Sequence, residues 1–332
     1  MLPAPWFAVR VAIERVAVLG LGLIGGSLLL RSASNSASVV GYDADPRTRA
    51  AVAERLGNAA IAPDPATAVH DADLVVLAVP LPAVAAVSGA LREVGYRGLL
   101  TDVTSVKEPV RALVAGAVPD ARWVGGHPMA GKEASGFDAA DAGLLTGCAW
   151  ALCLDEETSL PDWLDVARWV LSLGGQVAPL TSAEHDAAVA RISHLPHLVA
   201  AALATGAAAE PIGAAALGLG AGSFRDATRV AATRAALTAA MCGGNAVALT
   251  AELDGLIDRL TAARELLTRA DPIDALTGWL DNARAIRAQW PPQGEKADIP
   301  LTRDDLLAAG RAGGRLTAIH ADTATALIPR PS

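Results

Sequence analysis

The chain contains 332 residues, of which 52% are hydrophobic and 19% are charged, and its formal net charge is −8. This length is sufficient for two domains with large cores, and the composition excludes a disordered chain. Because no long basic run is present, we expect neither nucleic acid nor an anionic membrane as a partner.

Cysteine usage and the amino-terminal segment bear on the cellular compartment. The 3 cysteines, Cys148, Cys153 and Cys242, form no C-x-x-C pair, which favours reduced thiols. The first residues, MLPAPWFAVRVAIE, lack the features of a secretion signal. No uninterrupted apolar run reaches the ~20 residues of a membrane helix. We therefore expect a cytoplasmic protein.

A glycine-rich turn follows the first apolar segment. Residues 16–19, VAVL, are typical of a buried parallel strand, and GLGLIGGS follows directly. Gly20 permits a tight turn, Gly22 lets a pyrophosphate approach the backbone, and Gly25 lets the next helix pack on the strand. The amide groups at the start of that helix favour an anion. We predict a dinucleotide-binding turn that comprises Gly20, Gly22, Leu23, Ile24 and Gly25.

An acidic residue ends the second predicted strand, SVVGY at residues 38–42. Asp43 lies about 20 residues after the glycines, where a dinucleotide-binding fold places a carboxylate on the cofactor ribose. Such a carboxylate accepts hydrogen bonds from the ribose hydroxyls and repels a 2′-phosphate, so we predict NAD as the cofactor. Two alternatives stay open: Arg47 could accommodate NADP, and Asp43 could instead cap the helix that begins near Pro46.

Strands and helices alternate through the rest of the first half. Apolar strands and helical segments are predicted in turn over residues 72–80, 81–94, 98–105, 107–115 and 122–126. This alternation is typical of a doubly wound, Rossmann-like α/β domain, in which ligands bind at the carboxyl ends of the strands. We therefore expect ligand contacts from the residues at these ends, Pro80, Ser105 and His127.

From about residue 181 the sequence becomes rich in alanine and helical in pattern. The segment TSAEHDAAVARISHLPHLVAAAL predicts one long helix that contains Pro196. At about 100° per residue, His185 and His194 fall on opposite faces, and no further ligand completes a metal site, so we predict no metal. The histidines are either hydrogen-bonded core residues or part of a substrate pocket with His127, and we favour the pocket for His194 and His197.

A pair of arginines occurs in AGSFRDATR. Arg225 and Arg229 are spaced i, i+4 and share one face if the segment is helical. The guanidinium group binds carboxylates in a bidentate manner, so we predict an anionic substrate group at Arg229. For Arg225 a solvated surface face is an equal alternative. Lys107 and Lys132, which lie in neighbouring motifs, could add positive potential or lie at the surface.

Together these motifs resemble those of the prephenate/arogenate dehydrogenase family. The matching segments occur in the family's order and span roughly residues 16–245: GLGLIGGS, Asp43, DVTSVK, GGHPMAGKEASG, EHD, SHLPH and SFRDATR. The resemblance implies a NAD-binding domain followed by an all-helical domain that binds substrate and forms a homodimer. We place these domains at residues 13–179 and 180–290. The remaining residues, 291–332, form a C-terminal tail that is too short for a complete regulatory domain.

The resemblance also implies the reaction. The family oxidises a cyclohexadienol by hydride transfer to a nicotinamide, and the ring carboxylate leaves as carbon dioxide. His127 corresponds to the histidine that accepts the hydroxyl proton, and Ser105 to the serine that hydrogen-bonds it. A histidine near its ordinary pKa of ~6.5 suits this task. The implied substrate-binding residues are His197, Arg229 and the acidic Glu133, to which we add His194 and Arg225.

Three alternative functions stay open. Arogenate could replace prephenate as the substrate. A β-hydroxyacid dehydrogenase usually relies on a lysine in its helical domain, but the only lysine after Lys132 is Lys296, in the tail. A non-catalytic NAD-binding sensor would not need Ser105 and His127, and their presence argues against it.

Overall fold

The computed structural model describes residues 13–34, 38–57, 60–132 and 134–330. Five strands form a parallel sheet: β1 (Arg15–Leu19), β2 (Ser38–Tyr42), β3 (Leu74–Leu77), β4 (Leu99–Asp102) and β5 (Arg122–Val124). Their order is β2-β1-β3-β4-β5, with parallel pairing throughout. Each strand overlaps one that the sequence predicts.

Helices cover both faces of this sheet. They are α1 (Leu23–Ser34), α2 (Pro46–Leu56), α3 (Pro65–Val69), α4 (Leu81–Glu93) and α5 (Glu108–Ala117). Alternate residues of β1 enter different cores: Val16 and Val18 pack with α1, whereas Ala17 and Leu19 pack with α4 and α5. Because successive side chains of a strand point to opposite faces, this arrangement buries the sheet on both sides. The predicted doubly wound α/β domain is confirmed.

A second sheet, which we did not predict from the sequence, lies against the first. Its strands are β6 (Gly126–Pro128), β7 (Ala149–Cys153), β8 (Gln176–Leu180), β9 (Gly294–Pro300), β10 (Arg315–Ile319) and β11 (Thr323–Pro329). They follow the order β6-β7-β8-β10-β11-β9. The helix α6 (Leu160–Ser172) connects β7 to β8, which pair in parallel. His127 lies in β6, opposite Ala151 of β7.

The C-terminal segment completes this second sheet. We expected a tail at residues 291–332, but β9, α14 (Arg303–Arg311), β10 and β11 extend the sheet from β8. Leu306, Leu316 and Ala324 are buried in the same core as Trp150 of β7. The segment is thus part of the first domain rather than a separate unit, because its apolar residues fill the core of that domain.

The other helices form the second half of the fold: α7 (Ser182–Val189), α8 (Leu195–Ala207), α9 (Gly213–Gly218), α10 (Gly222–Thr228), α11 (Ala235–Gly244), α12 (Ala246–Leu266) and α13 (Pro272–Ala288). A π-helical turn at Ala190–His194 joins α7 to α8, and a 3₁₀ turn at Arg229–Ala232 follows α10. The all-helical second domain is confirmed.

Among the described residues, the continuous helix Ser182–Ala207 is long and apolar enough to cross a membrane by length and composition alone. The bent pair of α11 and α12 meets the same criterion if it is counted as one span. In the structure, the first turns of Ser182–Ala207 pack on α5 of the first domain.

Candidate active site

The glycine turn between β1 and α1 has the shape of a phosphate cradle. Gly20 has a φ of +100°, and a Cβ there would lie 2.5 Å from the carbonyl oxygen of Ala78. A Cβ on Gly25 would lie 1.9 Å from the carbonyl oxygen of Gly20. At Gly22, by contrast, a Cβ would meet no atom within 4 Å. Two glycines therefore allow close packing, and the third leaves open backbone next to the start of α1, where an anion is favoured.

The Asp43 carboxylate lies beside this turn. Its Oδ2 atom accepts a hydrogen bond of 2.7 Å from the backbone N–H of Leu21, and its Oδ1 atom accepts one of 2.9 Å from Asp45. Each carboxylate oxygen retains a further lone pair for a ribose hydroxyl. Asp45, not Asp43, caps α2, because its side chain accepts a hydrogen bond from the backbone N–H of Arg47.

The remaining predicted cofactor contacts lie at the same edge of the sheet. Leu23 and Ile24 form the first turn of α1 and are half-buried. Pro80 is exposed just before α4, and Ser105 is half-buried between β4 and α5. The residues present fit a dinucleotide, because open backbone, a helix N-terminus and a carboxylate follow one another along this edge.

His127 is joined to a buried pair of residues from the helical domain. Its Nδ1 atom lies 2.8 Å from Nε2 of His185, and the two rings meet edge to face at 73°. The Nδ1 atom of His185 lies 2.8 Å from Oδ1 of Asp186. His185 is only 1% exposed, whereas His127 is half-buried. The three side chains therefore form a hydrogen-bonded chain from the helical domain to the edge of the first domain.

The far end of this chain is fixed at the N-terminus of α5. Oδ1 of Asp186 accepts a hydrogen bond of 2.8 Å from the backbone N–H of Lys107, and Oδ2 accepts one of 2.9 Å from Glu108. A carboxylate at this position satisfies two free N–H groups and is favoured by the helix dipole. Asp186 thus caps a helix of the other domain.

Lys107 is a buried positive charge next to His127. Its side chain has no exposed surface. Its Nζ atom donates to the Asp102 carboxylate and, at 2.6 Å, to the carbonyl oxygen of Gly126, the residue before His127. Lys107 therefore holds the ends of β4 and β6 together, and the surface position that we considered for it is wrong. Lys132, by contrast, is partly exposed and pairs with Asp141.

The surroundings keep the histidines neutral. Burial lowers the pKa of His127 well below its ordinary value, and repulsion from His185, Lys107 and His194 lowers it further. Burial likewise lowers the pKa of His185, although the hydrogen bond to Asp186 opposes this shift. The expectation of an ordinary pKa for His127 is therefore wrong. A histidine with a depressed pKa is unprotonated at neutral pH and can accept a proton.

His194 and Asn245 form a second buried cluster next to this chain. Nδ2 of Asn245 lies 2.7 Å from the carbonyl oxygen of Asp186 and 3.1 Å from Nδ1 of His194. His194 has no exposed surface, and burial lowers its pKa to about 4. Its Nε2 atom has no hydrogen-bond partner among the described residues. The ring thus has the environment of a core histidine but retains one unmatched polar atom, so both roles stay open.

The predicted substrate residues lie on adjoining elements. His197 is half-buried in α8 and hydrogen-bonds the carbonyl oxygen of Ser193 through Nδ1 at 2.9 Å. The turn that begins at Arg229 and the helix α10, which carries Arg225, both pack on α8. Both arginines are exposed in the single chain. Glu133 lies outside the described residues.

The structure places Ser105 and His127 at one sheet edge without a hydrogen bond between them among the described residues. Ser105 follows β4 and His127 follows β5, both at the same sheet edge. However, Nδ1 of His127 is paired with His185, and in the described part of the chain Ser105 makes no side-chain hydrogen bond to it. The serine's role stays a prediction for the enzyme with its ligands bound.

Sequence reasoning missed the partners of His127. His185 and Asp186 occur in the motif EHD, but we assigned no function to either, and we did not consider Asn245. His185 lies 58 residues after its partner His127, and Asp186 lies 59 residues before its partner Asn245. No local sequence pattern predicts contacts between residues so far apart in the chain. The signal available was EHD itself, a motif that the family resemblance already included. No group of three or more potential metal ligands occurs among the described residues.

These features define a class of protein. A dinucleotide cradle lies at the edge of a Rossmann-like sheet, and a neutral histidine lies at the same edge, where the helical domain meets it. A base next to a dinucleotide site is the arrangement of a nucleotide-dependent dehydrogenase.

Comparison with known protein families identifies the family to which this dehydrogenase belongs. Residues 27–178 match the nucleotide-binding domain of prephenate dehydrogenase, and residues 181–282 match its dimerization domain. Together these matches cover more than half of the chain, so it belongs to the prephenate dehydrogenase family. The resemblance inferred from the motifs is confirmed. The elements from β9 to β11 lie beyond both matched regions.

Individual relatives agree with this assignment. The cyclohexadienyl dehydrogenase of Zymomonas mobilis is 32% identical over 268 residues, which cover 78% of this chain and 90% of the relative. A Corynebacterium glutamicum structure assigned to the prephenate dehydrogenases is 35% identical with a TM-score of 0.78, covering 85% of this chain and 91% of its own. The arogenate dehydrogenase of Synechocystis is 30% identical with a TM-score of 0.69, covering 83% of this chain and 99% of its own.

Proposed function

We propose that this chain is a prephenate dehydrogenase, which converts prephenate to 4-hydroxyphenylpyruvate in tyrosine biosynthesis and uses NAD. Family membership supports the reaction type, and the Asp43 carboxylate at the ribose position supports NAD over NADP. The observation that carries the proposal is the neutral His127, held by His185 at the same sheet edge as the cofactor cradle.

The proposed roles follow from these positions. His127 accepts the proton of the ring hydroxyl, and Ser105 orients that hydroxyl. With the cofactor bound, the cradle at Gly22 would hold the pyrophosphate, and Asp43 would hold the ribose. The bound nicotinamide supplies the acceptor for the hydride that leaves the same ring carbon, while the ring carboxylate leaves as carbon dioxide.

The substrate carries two carboxylates and requires a cationic partner. We assign this role to Arg229, whose turn packs on the helix that carries His197. Arg229→Ala should raise the KM about tenfold or more, because a bound carboxylate without its partner costs roughly 1–3 kcal/mol. Arg225→Ala, one helical turn away, is the matched control in steady-state kinetics. An unchanged KM in Arg229→Ala with a raised KM in Arg225→Ala would transfer the role to Arg225.

We further propose that the protein acts as a homodimer in the cytoplasm. Several apolar side chains of the helical domain are largely exposed in the single chain, among them Val247 at 91%, Leu219 at 83% and Ile273 at 80%. A surface of this kind is typical of an interface. All 3 cysteines are free thiols, which supports a reducing compartment.

The reaction is tested by the absorbance of reduced cofactor after prephenate or arogenate is added to the protein with NAD. Rapid reduction with prephenate alone is the expected result. Reduction with arogenate alone would preserve the fold, the cofactor and the role of His127 but replace the substrate, as the similarity to the Synechocystis enzyme allows. No reduction with either compound, if NAD still binds, would reject the proposal in favour of a NAD-binding sensor.

A further inference from the structure

We propose that Asp186 and His185 are positioning residues that fix the tautomer of His127, so that its Nε2 atom carries the lone pair that accepts the substrate proton. This inference rests on the proposed function only where it concerns turnover. The tautomer itself is a property of the protein without substrate, and it can be measured separately.

The charge of Asp186 follows from its burial and its hydrogen bonds. Burial raises the pKa of its carboxyl group, but hydrogen bonds from His185 and from the backbone N–H groups of Glu108 and Lys107 outweigh burial, and the pKa lies below its ordinary value. Asp186 is therefore ionised at neutral pH and can only accept hydrogen bonds. The proton between it and His185 must reside on Nδ1 of His185.

His185 can carry only one proton next to this carboxylate. Its pKa is lowered, so the ring is neutral and carries a single N–H group. Because that proton is on Nδ1, the Nε2 atom bears a lone pair and can only accept. The 2.8 Å contact with His127 is then satisfied only if His127 donates from Nδ1.

The tautomer of His127 follows from that of His185. This ring is also neutral, so its one proton is on Nδ1 and its Nε2 atom is unprotonated. When Nε2 takes a proton, Nδ1 still donates to His185, and the negative charge of Asp186 lies at the end of the same chain. The repulsion from Lys107 has the opposite effect and keeps the resting ring unprotonated. The hydrogen-bonded chain of these three side chains thus determines which nitrogen of His127 accepts the proton, and it stabilises the positive charge that forms on the ring.

A purely structural role for His185 is the alternative. It is 1% exposed and lies at the contact between the two domains, where a hydrogen-bonded histidine could serve packing alone. That role would be satisfied by either direction of the His185–His127 hydrogen bond. The ionised Asp186, held by two N–H groups of α5, removes this freedom.

The test is nitrogen NMR of the full-length protein with ¹⁵N-labelled histidine at neutral pH. Spectra of single-histidine variants assign the 6 rings. We expect His127 and His185 to be neutral and protonated on Nδ1. A His127 ring protonated on Nε2 would overturn the proposal, whether or not the protein turns over substrate.

Two variants link the tautomer to turnover. Asp186→Asn removes the negative charge at the end of the hydrogen-bonded chain, and His185→Asn is too short to reach His127. We expect kcat to fall roughly a hundredfold or more in each, with the KM for prephenate nearly unchanged. If Asp186→Asn fails to fold, His185→Asn and the wild-type spectrum still decide the matter. His70→Gln, which removes an exposed histidine on α3's C-terminal side, is the control.

The outcomes separate the two proposals. A wild-type protein that reduces no NAD with prephenate or arogenate would reject the proposed function, while its NMR spectrum would still decide the tautomer. An active wild-type protein whose His185→Asn variant keeps the wild-type kcat would overturn the positioning role and leave the proposed function intact.

Discussion

Asp43 holds two parts of the fold together and is the residue that we propose to bind the cofactor ribose. Its two oxygens hold the backbone of Leu21 in the glycine turn and of Asp45 before α2. The carboxylate therefore shapes the cradle before any cofactor is bound, and each of its oxygens retains a lone pair for a further donor. Loss of Asp43 should disturb both tasks, but only the second distinguishes one cofactor from the other.

Asp43→Ser should weaken the binding of NAD by about 10–100-fold, since hydrogen bonds to a charged group contribute about 1.5–3 kcal/mol. NADP should be affected less, because the substitution also removes the repulsion of its 2′-phosphate. Titration calorimetry with both cofactors measures the difference. Asp45→Ser is the control, because serine retains the helix cap and lies outside the turn. Equal losses of affinity for NAD and NADP would show that Asp43 only holds the backbone of the glycine turn and does not distinguish the two cofactors.

Single residues in short motifs were the most predictable part of the site. The glycines, Asp43 and His127 lie within a few residues of a strand end, so their positions follow from local sequence. His185 and Asp186 act through contacts with another domain, and the sequence carries no measure of that distance. The burial of Lys107 was left open for the same reason, because it depends on Asp102 and Gly126, which meet this side chain only in the folded sheet.

At the scale of elements, the π-helical turn between α7 and α8 interrupts the regular helix that the sequence predicts. We predicted opposite faces for His185 and His194, from a regular helix. Pro196 has no N–H for the carbonyl of Ile192, and the N–H of Leu195 bonds the carbonyl of Ala190 instead. The wider turn changes the helical phase, so that Asn245 reaches both Asp186 and His194. Regular periodicity cannot predict such a turn.

Asn245→Ala should destabilise the fold by roughly 1–3 kcal/mol, because it leaves the buried Nδ1 atom of His194 without a donor and removes one of the two hydrogen bonds to the carbonyl oxygen of Asp186. Urea denaturation at a fixed protein concentration measures the loss. Asn282→Ala, an exposed position of α13, is the matched control and should have little effect. Equal stability of Asn245→Ala and the wild type would show that this asparagine does not hold α7 to the other helices.

At the scale of the whole molecule, the C-terminal segment, residues 291–330, makes contacts that stabilise the packing of the helical domain on the first domain. Arg311 of α14 pairs with Glu184, one residue before His185, at 2.6 Å. Arg303 of the same helix donates to the carbonyl oxygens of Leu154 and Thr158, in the loop that follows β7. The sequence could not reveal this role, because the segment joins the sheet through β8, more than a hundred residues earlier in the chain.

Neutral buried histidines make the whole fold sensitive to acid. The pKa of His194 falls to about 4, and those of His127 and His185 are also lowered, whereas an unfolded chain titrates near 6.5. The unfolded state therefore binds more protons below pH 6.5, and the stability that is fully present above this pH declines as the pH falls towards 4. Each histidine contributes up to about 1.4 kcal/mol per pH unit in that window.

Thermal unfolding at a series of pH values tests this linkage. We expect the melting temperature to fall steadily between pH 6.5 and pH 5, before most carboxylates titrate, and His194→Gln should make the decline less steep. A melting temperature that is constant across this range would mean that the three rings are protonated in the folded protein. The same result would remove the basis for a neutral His127.

In the proposed enzyme, His127 is the base of a dehydrogenase that binds NAD at the neighbouring cradle. The most direct measurement is the rate of NAD reduction by His127→Asn with prephenate, beside its affinity for NAD. We predict that turnover is abolished while the Kd for NAD stays close to that of the wild type, because the asparagine lies outside the cradle and cannot accept the proton. Turnover near the wild-type rate in a variant that binds NAD normally would show that His127 is not the base.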